Sequence, residues 1–138
     1  MTTEPSVPKE RALVEYSEET KALVLQDPKL AGASDEVKNE TMALIEAIKR
    51  RAQAEAQGAG DLTRDAYVTA VRQAKEAIEQ TKLFDKEQIE SSIELMVKDA
   101  EKNWESIIKE VTSFGDRLAE AAKAAWDTLT APRPDSKP

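Results

Sequence analysis

The sequence predicts an all-α fold: a helical hairpin packed on a long C-terminal helix, together a three- to four-helix bundle with disordered termini. Three observations carry that expectation. An apolar stripe runs through Ile89, Ile93, Met96/Val97, Ala100, Trp104, Ile107/Ile108, Val111, Phe114, Leu118, Ala122, Ala125 and Leu129 without an intervening proline. Its spacing alternates threes and fours, which is one member per helical turn. Separate segments open on local helix-start signals. The 40% hydrophobic share is carried largely by Ala, which favours helix but buries little area per residue, so the core should be thin.

Residues 1–16 open with MTTEPSVPKE, polar and without period, and read as a disordered arm. Residues 17–33 read as a weak helix and linker. Ser17 is its candidate N-cap, Glu18 and Glu19 occupy the first turn, and Asp27-Pro28 ends it because the residue before proline is pushed out of the helical region. The bundle domain is expected over 34–130. Its first helix starts after Gly32 to Ser34, with Asp35 and Glu36 at the positive end of the helix dipole, and buries Val37, Thr41, Leu44, Ile45, Ile48 and Ala52. Gln57 to Gly60 ends it.

The second helix is capped by Thr63, with Leu62 and Tyr67 placed as a hydrophobic staple. Its face is Tyr67, Ala70, Val71, Ala74, Ala77 and Ile78, and it frays near Lys82. Asp85 caps the third, Gln88 stands where a capping-box partner would, and Phe84 staples onto Ile89. Read by elevens, Ile89, Ala100, Val111 and Ala122 stay in register, favouring a continuous or gently kinked rod of roughly 65 Å. Ser113-Phe114-Gly115-Asp116 is the place where it would break, Gly115 costing about 1 kcal/mol in a helix interior. Residues 131–138, APRPDSKP, read as a disordered tail.

Several function classes recede on composition. A net charge of −7 opposes nucleic-acid binding, which needs a basic face. With no Cys and no His the chain lacks the thiolate nucleophile, the usual general base and the usual transition-metal ligands. The Ser and Thr residues have no base, and Gly58 and Gly60 follow a helix rather than a strand, so they do not form a phosphate loop. No enzyme, cofactor or small-molecule substrate is expected. Glu87, Glu90 and Glu94 share a helical face suited to a hard cation, but read better as a solvated face with helix-supporting charge pairs. No run is long and apolar enough to span a membrane, and Met1 to Lys9 lacks the pattern of a signal peptide, so a soluble or peripheral protein is expected.

Two sets of residues remain as candidates. Lys49, Arg50 and Arg51 are the one basic cluster and the candidate contact for lipid headgroups, phosphate or an acidic protein; the competing reading is cations at the negative end of their helix. Phe114, Leu118, Ala122, Ala125, Trp126 and Leu129 extend past the reach of the first two helices and are the candidate partner-binding face. Trp104 reads as core. Trp126 stands among alanines, suited to a membrane interface, a partner, or the end of the bundle.

The stretches AGDLTRDAY, EKNWESI and FGDRLAEAAKAAW, within a likeness from about Ser34 to Pro134, resemble a family of small cyanobacterial thylakoid-associated proteins with plastid relatives. The resemblance implies a peripheral location on the cytoplasmic side of the thylakoid membrane and no activity. The expectation is therefore a non-enzymatic helical adaptor, assembly or scaffold protein held there by protein partners, otherwise cytoplasmic. Its alternatives are a direct membrane-surface protein using its C-terminal amphipathic helix, or a soluble homo-oligomer.

Overall fold

The computed structural model describes residues 18–130, so the arm expected at 1–16 and the tail at 131–138 lie outside the described residues. The described chain is an all-α bundle with no strand. Helix α1 spans Glu18–Leu25, α2 Asp35–Ala59, α3 Arg64–Thr81, α4 Lys86–Lys102, α5 Trp104–Phe114 and α6 Leu118–Thr130. Single 3-10 turns occupy Pro28–Leu30 and Gly115–Arg117.

Local chemistry accounts for most of the boundaries. Ser34 Oγ accepts from the Val37 N–H at 3.2 Å, and Thr63 Oγ1 accepts from the Ala66 N–H at 3.2 Å, each satisfying a donor that the first helical turn leaves open. Gly60 ends α2 in the left-handed region at φ 71°, ψ 21°. Its N–H donates to the Gln57 carbonyl and that of Asp61 to the Ala56 carbonyl, the paired bonds of a Schellman turn. Asp85 has the extended backbone of a cap, but its side chain makes no capping bond. Gln88 does not close the expected capping box either: its amide donates to Thr41 Oγ1 on α2 at 3.2 Å, tying helix to helix.

The expected long C-terminal helix is three helices. One break is at Asn103, with φ −128° and ψ 39°, where the side-chain amide donates to Asp99 Oδ1 at 2.9 Å. The second is at Gly115, with φ 56° and ψ −129°, a conformation open essentially to glycine alone. The cost assigned to Gly115 in a helix interior does not arise, because it stands at a reversal. The stripe stays in phase through both breaks: Ile89, Ile93, Met96, Ala100, Ile107, Val111, Leu118, Ala122, Ala125 and Leu129 are all buried. Phase along a sequence fixes which side of each piece is apolar. It does not fix that the pieces are collinear.

The breaks let the stripe wrap around α2, which contacts every other helix. After Gly115 the chain returns antiparallel to α2. Gln57 near the end of α2 donates to the Gly115 carbonyl at 3.3 Å, Arg51 and Ala54 border Ala122 and Trp126, and Glu36 and Ala43 near its start border Leu129. The middle of α2 is accordingly enclosed; Leu44, Ile45, Glu46, Ala47, Ile48, Lys49 and Arg50 are all buried in succession. Helix α1 docks on it, with Val24 fully buried and Thr20 Oγ1 donating to Glu46 Oε1 at 2.7 Å. Tyr67 at the start of α3 meets Trp104 at the start of α5, ring centroids 5.5 Å apart.

Candidate functional site

Glu46, Lys49, Arg50 and Gln53 fall at i, i+3, i+4 and i+7 of α2 and therefore share one face. They meet Glu110 from α5 and Thr20 from α1. Arg50 bridges the set: one nitrogen stands 2.7 Å from Glu46 Oε2, and the other is 3.1 Å from Glu110 Oε1 and donates to Gln53 Oε1 at 2.8 Å. Gln53 donates to Glu110 Oε1 at 3.0 Å, and Lys49 Nζ lies 3.4 Å from the same oxygen and 3.9 Å from Glu46. Two carboxylates face two cations, as burial of charge requires. Burial alone would raise the Glu110 carboxyl; Lys49, Arg50 and the Gln53 hydrogen bond outweigh it and hold the carboxyl below its ordinary value.

This network corrects the reading of the basic cluster. Lys49 and Arg50 are buried in the fold rather than offered to an anion, and Arg50 also lies 4.4 Å from the Phe114 ring centroid. Arg51 stacks on Trp126 at 4.2 Å. Nor do these cations complement the end of their helix, because α2 runs on to Ala59 and its last turn holds no basic residue. The sequence reading missed Thr20, Glu46, Gln53 and Glu110. The spacing of Glu46, Lys49, Arg50 and Gln53 was the available signal, since polar residues in helical register beside an apolar face mark either water or a second, charged seam.

The expected partner-binding face is also consumed internally. Leu118, Ala122, Ala125 and Leu129 are buried, while Phe114 and Trp126 are half-buried beneath Arg50 and Arg51. The alanines allow α6 to lie close along α2, which is how a face this poor in large side chains becomes core.

Exposed apolar side chains stand elsewhere. Among the described residues the large apolar side chains left exposed are Leu25, Val37 and Leu83. Val37 lines a groove of about 310 Å³ together with Leu30 and Leu95, between the α1–α2 connection and the first half of α4. Asp27, Glu40, Asp85 and Glu87 line it as well. Leu25 and Leu83 each stand two residues before one of its aspartates, Asp27 and Asp85. No protein-family model, curated protein or solved structure matches the chain.

Proposed function

We propose that this protein is a non-enzymatic helical adaptor or assembly protein, peripheral to the cytoplasmic side of the thylakoid membrane and held there by protein partners. The observation that carries the reading is the exposure of Val37 inside a groove it shares with Leu30 and Leu95, on a chain whose long stripe is largely buried. The location comes from the resemblance carried by AGDLTRDAY, EKNWESI and FGDRLAEAAKAAW. No helix among the described residues is long and apolar enough to cross a membrane, which is compatible with a peripheral attachment. Direct insertion of the C-terminal helix fits less well, because its apolar face would first have to leave α2.

Co-sedimentation tests the reading. The purified chain should pellet with thylakoid membranes, and lose that binding when the membranes are first treated with trypsin. It should not pellet with protein-free vesicles of thylakoid lipids. Binding to the vesicles at the same level would give the function to the membrane-surface alternative. Absence of binding to untreated thylakoids would remove the adaptor reading.

A further inference from the structure

We propose that the groove lined by Leu30, Val37 and Leu95 together with Asp85 and Glu87 docks a basic, apolar-faced segment of a protein partner. The inference rests on the adaptor reading and specifies where on the chain the partner binds and what chemistry it presents. Two independent features meet here. The first is apolar: Val37 is 38% exposed inside the groove, where Leu30 and Leu95 line it as well. A fixed helix start holds Val37 in place, since it stands in the first turn of α2 and its N–H is bound to Ser34.

The second feature is charge. The described residues that line the groove include four carboxylates and no lysine or arginine. Asp85 and Glu87 are both exposed, and the Asp85 side chain caps no helix N–H. Apolar side chains beside the exposed carboxylates of Asp85 and Glu87 select an apolar stripe flanked by opposite charge. A second copy is a poor occupant, because its one basic cluster has Lys49 and Arg50 buried. An anionic bilayer is a poor one as well, since the same carboxylates repel its headgroups.

The test is a titration of the isotope-labelled full chain with a synthetic amphipathic helix of leucine and lysine, followed amide by amide by NMR. The same pattern in leucine and glutamate is the control. The lysine peptide should move resonances centred on Val37, Gln88, Ser91 and Leu95, and the glutamate peptide should move none. Val37→Lys keeps the backbone N–H that Ser34 caps, and should weaken the affinity about tenfold. Asp85→Asn with Glu87→Gln, which retains a cap-forming residue at position 85, should weaken it about fivefold by removing two exposed charges.

Shifts scattered over the surface, or affinity unchanged in both variants, would show binding to general acidity and overturn the proposal. So would anionic vesicles that move the same amides. The two readings separate in the thylakoid assay: if Val37→Lys pellets with membranes as well as the parent does, the groove assignment fails while the adaptor reading stands. If the parent itself does not pellet, the adaptor reading fails.

Discussion

Helix α2 is held on two sides by different physics. Toward α3 and α4 it presents Leu44, Ile45, Ile48 and Ala52 to Tyr67, Val71, Ile78, Ile89 and Met96, a seam within one apolar core. Toward α1 and α5 it presents Glu46, Lys49, Arg50 and Gln53 to Thr20 and Glu110. An apolar seam gains free energy from any close fit and tolerates small shifts in register. A buried charged seam gains little net energy, but is intolerant of losing one member, because the remainder is then desolvated and unpaired. The first seam makes the bundle stable. The second fixes where α1 and α5 sit on it.

The largest expected effect is from Ile107→Asp, which places an unpaired carboxylate at a fully buried position of α5. It should cost more than about 4 kcal/mol and abolish the cooperative melt followed by circular dichroism. An unchanged melt would mean that α5 does not pack where it is described. Next is Arg50→Ala, which leaves the two carboxylates of the seam, Glu46 and Glu110, sharing the single cation Lys49; denaturant unfolding should show a loss of about 3 kcal/mol. Glu46→Leu combined with Arg50→Met should lose clearly less, since the charges leave together. Equal losses would show that the seam works by packing rather than by charge balance.

Gly115→Ala should cost about 2 kcal/mol although open space surrounds the glycine, because the penalty lies in its backbone conformation. A gain of about 1 kcal/mol, as expected when alanine replaces an ordinary helical glycine, would place Gly115 within a continuous helix. A smaller effect of opposite sign is expected at Lys82, which ends α3 in the left-handed region at φ 58°. Lys82→Gly should stabilise the protein by up to about 1 kcal/mol, read as a higher melting midpoint.

Acid should act selectively on the charged seam. The Glu110 carboxyl titrates below its ordinary value of 4.5 in the folded chain, so its contribution is fully present above that value and is lost as pH falls through the folded one. The stability of the parent should therefore fall more steeply below about pH 4.5 than that of Glu110→Gln. Parallel acid profiles would contradict the pairing of Glu110 with Lys49 and Arg50.

What the sequence discloses and what it withholds divide along the same two seams. Ser34 and Thr63 act within one turn of their helices, so the starts of α2 and α3 are legible from neighbouring residues, as is the ending at Gly60. The stripe correctly marks which side of α4, α5 and α6 is buried. Its unbroken phase conceals the turn at Asn103, where a single asparagine in an otherwise helical run carries no distinctive signal. Gly115 is visible, but its role depends on a positive φ that no local pattern specifies. The charged seam is the least legible, since Arg50 and Glu110 are 60 residues apart and each, taken alone, resembles a solvated surface residue. Because the seam is overlooked, Lys49 and Arg50 are read as a surface; because the reversal at Gly115 is, α6 is read as free for a partner.

The central claim is that one apolar stripe is broken in two places and folded back around α2. The most direct test is a distance between labels on Glu36→Cys and Asp127→Cys, feasible because the chain has no cysteine of its own and both positions are exposed. Pulsed electron spin resonance should give a single narrow distance within about 20 Å, that of neighbouring packed helices with their labels. A distance on the order of 60 Å, that of a straight helix from α4 through α6, would contradict the account.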